Sequence, residues 1–297
     1  MELSGVGVWS GALRYGDRAE RETAAAELEA LGYSAIWVPG GAGGAVFDDC
    51  RVLLDATSRV AVATGILNLW MHDAAEVAAD HVAVTADHPG RFLLGIGISH
   101  SLLVDAQEPG TYARPLATTR AYLDALDAAP TPVPVAERAL AALGPKMLEL
   151  ARDRTRGAHP YLANSEHTRI AREALGDGPL LLPEQPVVLE TDPEKARALG
   201  RKHFEIYLQL VNYTNNLRRL GFTDDDFADG GSDRLVDGIV VWGDEATIAR
   251  RVQEHFDAGA DHVCIQVVTG ERGGVGTFPR ERWRALAPAL TQLAARG

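Results

Sequence analysis

Cysteine is scarce in this chain of 297 residues: it has Cys50 and Cys264, far apart in sequence. That excludes a disulfide framework and leaves two reduced, packed thiols as the expectation. No CxxC occurs and no cysteine or histidine spacing suits zinc, so no metal centre is expected. Basic residues are in deficit, with 29 Lys and Arg against 41 Asp and Glu, a formal net charge of −12. Such a chain repels phosphate backbones and anionic lipid, which argues against nucleic acid and membrane surfaces as main partners. No apolar run reaches the ~18 residues needed to span a bilayer. The start, MELSGVGVWSGALRYGD, lacks a cationic stretch followed by a long apolar one, so the cytoplasm is the expected location. Also missing are GxxxxGK, GxSxG and HExxH. Gly95-Ile96-Gly97 lacks the third glycine and the helix start of a dinucleotide fingerprint. Close backbone approach at a strand end explains it better.

What the sequence does have is alternation. Short β-like runs, at residues 5–9 (GVGVW), 34–38 (SAIWV), 60–67 (VAVATGIL) and 92–98 (FLLGIGI), alternate with amphipathic helical stretches. Asp17 caps the first long helix, which Gly32 stops, and Pro89-Gly90 ends another. Further runs at 138–143, 157–162, 185–190 and 262–268 bring the predicted strands to eight, and 238–243 reads as an additional short one. The runs are continuously apolar, as in strands buried on both faces. Eight βα repeats in one domain over residues 1–297 predict an α/β fold, a (β/α)8 TIM barrel, since such a barrel uses ~250 residues as one unit. Residues 195–235 do not fit a βα unit and read as a helical insertion after strand 7. Its Asp224-Asp225-Asp226 run reads as a solvated helix start.

Active sites of such barrels lie at the C-terminal strand ends. That rule nominates Trp9 and Ser10, Gly40 and Gly41, Thr64 to Asn68, Ser99 and His100, Gly144 to Lys146, His159 to Tyr161, Glu190 and Gln266. Of the nine histidines, only His100 and His159 fall at such ends. An imidazole there suits proton transfer near neutral pH. His72, His81 and His88 read as surface or capping residues, and His262 begins a strand at the opposite end. Gly144-Pro145-Lys146 opens a helix directly after strand 5, a natural cradle for an anion.

Taken in order, GVGVWS, LGYSAIWV, VATGILNLW, RFLLGIGISH, ALGPKMLELA, GAHPYL and DEATIARRVQEHFDAGADHVCIQV resemble the luciferase-like monooxygenase superfamily, specifically its branch using the deazaflavin coenzyme F420. The resemblance spans nearly the whole chain. It implies a barrel with an insertion after strand 7 and a non-prolyl cis peptide at Gly65-Ile66 beside the coenzyme ring. It further implies a coenzyme site that includes Thr64, Gly65, Ile66, Ser99, Gly144, Pro145, His159 and Tyr161, with the phosphate near Gly144 and Pro145. Two positions depart from the pattern. Many relatives carry an acid followed by histidine at the end of strand 2, where this chain reads Val38-Pro39-Gly40-Gly41. Some dehydrogenases of the branch carry a Glu after strand 4, where this chain has Ser99-His100. His100 is therefore the expected catalytic residue. The resemblance implies an F420-dependent oxidoreductase acting on a small organic substrate. Two alternatives stay open: an FMN-dependent monooxygenase, and a barrel that has lost catalysis and binds a ligand or partner. Relatives often dimerise, so a homodimer is an expectation. Specificity is expected in residues 40–48, 99–112 and 195–235.

Overall fold

A computed structural model describes residues 3–40, 43–270 and 277–294 of the chain. Gly41, nominated above, and part of the 40–48 loop lie outside the described residues. The first long helix starts at the expected cap: the Asp17 carboxylate accepts the N–H groups of Ala19 and Glu20, and Arg18–Ala30 follows. Gly32, at φ +91°, turns the chain out of the helix in a conformation that favours glycine.

Among the described residues, ten parallel strands form one sheet. They are β1 (Gly5–Trp9), β2 (Ala35–Gly40), β3 (Ala61–Asn68), β4 (Phe92–Gly97), β5 (Arg138–Leu140), β6 (Gly157–Ala158), β7 (Leu180–Leu181), β8 (Glu184–Leu189), β9 (Val241–Gly243) and β10 (His262–Val267). Strands β7 and β8 act as one stave broken at Pro183, which has no N–H to give a ladder. The N–H groups of Leu182 and Glu184 donate to Ala158 and Pro160 at 2.9 and 2.8 Å. On the other edge, Cys264 and Val268 donate to Pro183 and Val187 at 3.0 and 2.8 Å. This composite stave closes the barrel, with β1 to β6 on one side of it and β10 on the other. Strand β9 is the extra strand that residues 238–243 suggested, paired with the far end of β8.

Two apolar cores hold the barrel. One fills its interior with Trp9, Trp37, Leu93, Ala139 and Cys264. The other lies between the sheet and the helices and includes Leu28, Leu53, Phe92, Leu148 and Trp283. Cys50 and Cys264 are both buried and free, as expected. The insertion is helical, with Pro193–Tyr207, Val211–Arg219, Asp224–Phe227 and Asp233–Ile239. It has its own core of Phe204, Leu217, Leu235 and Ile239, seated on Leu162 and Val188 of the barrel. Within it, one expectation fails. Asp226 is buried rather than solvated. It completes a capping box with Thr223 and pairs with Ser232 and Arg234, which supply the partners a buried carboxylate needs.

The histidines also depart from the surface roles expected of them. His88 does cap a helix C-terminus. His81, however, is buried against Phe92, because its helix turns that face to the barrel. His262 begins β10 as expected, but it points inward and accepts the indole N–H of Trp37 at 3.0 Å. Among the described residues, no helix is long and apolar enough to cross a membrane, and no group of three or more His, Cys, Asp or Glu side chains is placed to hold a metal ion.

Candidate active site

A cleft of about 690 Å³ opens at the C-terminal ends of the strands and is roofed by the insertion. Seven of the nine residues predicted for the site line it: Gly65, Ile66, Ser99, His100, Gly144, His159 and Tyr161. Two do not. Thr64 is fully buried, with its Oγ1 donating to the Gly95 carbonyl at 2.7 Å and accepting the Gly95 N–H at 2.9 Å. Pro145 is exposed on the first turn of the helix Pro145–Arg154. It shapes that turn without facing the cleft.

The floor is built by close packing at the end of β3. The Gly65-Ile66 peptide is cis. The strand bulges there, shifting register against both β2 and β4. The Trp9 indole donates to the Gly65 carbonyl at 2.9 Å. A Cβ on Gly65 would stand 2.8 Å from Trp9 Nε1 and 3.1 Å from His159 Nε2, so no larger residue fits without a shift. Gly40 is under the same constraint: a Cβ would lie 2.6 Å from the Ile66 carbonyl oxygen. At Gly40, in the stretch where the resemblance leads one to expect a titratable side chain, backbone thus stands against backbone.

His159 lies beneath Gly65. It stacks on Trp37 at 4.3 Å between ring centroids, and its Nδ1 meets the Leu182 carbonyl at 2.7 Å. A carbonyl only accepts, so Nδ1 carries the proton and Nε2 is a bare lone pair. That Nε2 is buried without a partner. Burial lowers the His159 pKa to about 4, so the ring is neutral near pH 7. Tyr161 stands next to it in the cleft wall. Its hydroxyl meets that of Tyr207 at 2.7 Å and donates to Gln266 Oε1 at 2.6 Å. Both hydroxyls are spent on this chain, and Trp9, Tyr161, Tyr207 and Tyr213 form a continuous aromatic wall.

His100 stands against the Tyr213 end of this wall. It follows Ser99, which adopts φ +59° and so turns the chain sharply at the end of β4. The Asn212 side-chain amide lies 3.2 Å from the Ser99 carbonyl, 3.2 Å from the Tyr112 hydroxyl and 3.3 Å from His100 Nδ1. A carbonyl demands a donor, so the amide nitrogen faces all three. The amide's two hydrogens are shared among the three, and an amide nitrogen does not accept, so a proton on His100 Nδ1 would face a donor; the ring proton therefore sits on Nε2. Burial lowers the His100 pKa to about 4, and Tyr213 covers one side of the ring at 4.7 Å between centroids. The residue expected to relay a proton is held as a neutral N–H donor.

At the far end, Gly144 caps the helix Pro145–Arg154 in an extended conformation, with no side chain on the helix N–H groups. The Arg219 guanidinium stands over this end, 3.6 Å from where a Gly144 Cβ would be. Among the described residues that line the cleft, Arg219 is the only Lys, Arg, Asp or Glu. Among the described residues, no carboxylate pairs with it. A helix N-terminus beside an unpaired guanidinium receives an anion.

Lys146 is exposed and does not line the cleft, and the Glu190 carboxylate caps the backbone of Thr191 and Asp192 instead. The residues that sequence reasoning missed come largely from the insertion: Tyr207, Asn212, Tyr213 and Arg219. No motif marks them. The only signal was that residues 195–235 were too long for a βα connection.

The comparisons agree with this geometry. The chain matches the family of luciferase-like monooxygenases over residues 4–262 and belongs to it. It is a luciferase-like oxidoreductase, and the solved structures similar to it include F420-dependent proteins and one solved with FMN. An F420-dependent secondary alcohol dehydrogenase, solved with an F420-acetone adduct, is similar at TM-score 0.72 and 14% identity, covering 98% of this chain and 99% of that one. The F420-dependent tetrahydromethanopterin reductase of Methanopyrus kandleri is similar at 0.69 and 14%, covering 98% and 99%. The oxygenating constituent of the 3,6-diketocamphane monooxygenase of Pseudomonas putida, solved with FMN, is similar at 0.70 and 14%, covering 99% and 98%. At these identities the likeness shows the fold. No curated protein matches the chain.

Proposed function

We propose that this protein is an F420-dependent oxidoreductase, transferring a hydride between the deazaflavin and a small organic substrate held in the same cleft. One observation carries the reading. The cleft has an anion-receiving end, Gly144 with Arg219, and a neutral imidazole N–H at His100, with the tight Gly65-Ile66 floor lining it as well.

The residues present fit such a coenzyme. Arg219 and the N-terminal end of the helix Pro145–Arg154, which no side chain caps, would hold its phosphate. The cradle at Gly65 and Ile66, which a Cβ on Gly65 would fill, would take the ring. When bound, the deazaflavin supplies the carbon that gives or receives the hydride. The chain's own part is to orient and to exclude water. The Trp9, Tyr161, Tyr207 and Tyr213 wall keeps solvent from the reacting face. His100 offers its Nε2–H to a substrate oxygen, and Asn212 fixes the tautomer that makes this possible. A neutral imidazole in this role stabilises developing negative charge on oxygen by hydrogen bonding, without titrating near pH 7.

The test is turnover with each coenzyme. Loss or gain of the F420 absorbance on adding alcohols or carbonyl compounds supports the proposal. Oxygen uptake with FMN, and none with F420, replaces it with the monooxygenase reading. No turnover with either coenzyme points to a barrel that binds without catalysis.

A further inference from the structure

The His100 end of the cleft differs in character from the Arg219 end. Both are set by the helix Val211–Arg219. Asn212, at its start, holds His100, and Arg219, at its end, lies over Gly144. Seven residues of helix separate them by about 10 Å. The segments that carry His100 and its neighbours line the cleft with Ile98, Leu103, Leu210 and Tyr213, and the polar Tyr112 and Asn212 among them bond to one another. Among the described residues lining the cleft, no carboxylate or ammonium stands there to pair with a charged substrate, and burying an unpaired charge is costly.

The rim has the same character. Leu103 is 42% exposed and lines the cleft, Leu102 beside it is 50% exposed, and Val211, next to the lining residues Leu210 and Asn212, is 48% exposed. The bond from Asn212 to His100 brings the segments carrying these three side chains together. An exposed apolar patch at the mouth of a cleft marks an apolar ligand.

We propose that the cleft selects an uncharged, predominantly apolar carbonyl compound or the corresponding alcohol, which enters past Leu103 and sets its oxygen on the Nε2–H of His100. The chemistry of this proposal rests on the oxidoreductase reading above, whereas the selection it describes is a matter of binding alone.

Calorimetric titration of the full chain, alone and with F420 or FMN added, tests it with 2-hexanone, 2-octanone and 2-decanone against octanoate. Affinity for the ketones should rise about threefold to fourfold per added methylene. With F420 or FMN present to occupy the Arg219 end, or in Arg219→Ala, octanoate should bind at least tenfold more weakly than 2-octanone, and this is the comparison that counts. Leu103→Asp, at an exposed position that leaves the fold intact, should weaken 2-octanone at least tenfold. His100→Ala should weaken all three ketones by one common factor and leave the chain-length slope unchanged. Octanoate binding as tightly as 2-octanone in that comparison, affinity independent of chain length, or an inert Leu103→Asp would overturn the proposal. Ketone binding with the expected slope but without affinity for either coenzyme sinks the oxidoreductase reading and leaves this selection standing. Coenzyme binding without ketone binding sinks the selection alone.

Discussion

The side-chain amide of Asn212 lies 3.3 Å from Nδ1 of His100, so an insertion residue decides which nitrogen of a barrel histidine carries the proton. The amide donates, the imidazole is held neutral, and burial keeps its pKa at about 4. The wild-type enzyme should therefore show kcat/KM that is flat across neutral pH, with no limb at the ordinary histidine value of about 6.5. Asn212→Asp puts an anion against Nδ1, favours the imidazolium and raises the pKa. A new limb should then appear between about pH 6 and 8. A pH profile of the two enzymes, or histidine ring NMR, checks this. An unchanged profile in Asn212→Asp would remove Asn212 from its positioning role.

Much of this arrangement was legible in the sequence. Strand ends and family spacing pointed to Gly65, His100, Gly144 and His159, because backbone close approach and helix starts leave marks such as Gly and Gly-Pro. Strand β7/β8 was only half legible, since Pro183 hides the join. Asn212 and Arg219 were illegible. They lie in a segment without barrel periodicity, and their roles depend on where its helices settle. His81 and Asp226 were misplaced because burial of a polar side chain depends on partners distant in sequence or space.

Acid should weaken the fold. His159, His255 and His262 are buried, with pKa values lowered to about 4, 3 and 4. Between those values and about 6.5 the unfolded chain binds protons that the native state refuses, so stability falls as pH drops. Each withheld proton costs about 2 kcal/mol at pH 5. Thermal melts should show Tm falling steeply from about pH 6.5 to 5. A Tm constant over that range would mean that these rings titrate normally.

Glu184 sets the opposite slope. Its carboxyl is buried in the barrel interior, one oxygen accepting the Leu162 N–H at 3.0 Å and the other without a partner. Burial raises its pKa to about 8. The native state then holds a proton that the unfolded chain has lost, so stability declines as pH rises from about 4.5 to 8. Glu184→Gln keeps the acceptor for Leu162 and removes the titration. It should stabilise the protein at pH 7 by on the order of 2 kcal/mol and flatten the decline above pH 6. Chemical denaturation at pH 5, 7 and 8.5 measures this, and a variant less stable than wild type at all three contradicts it.

The coenzyme is the centre of the account, and a fluorescence titration tests it most directly. Purified protein is titrated into F420 and, separately, into FMN, alongside Arg219→Ala, which changes an exposed side chain. The account predicts quenching of F420 with saturable binding tighter than that of FMN. It also predicts an affinity for F420 at least tenfold weaker in Arg219→Ala. Saturable FMN binding with no response from F420 at high micromolar concentration would contradict it.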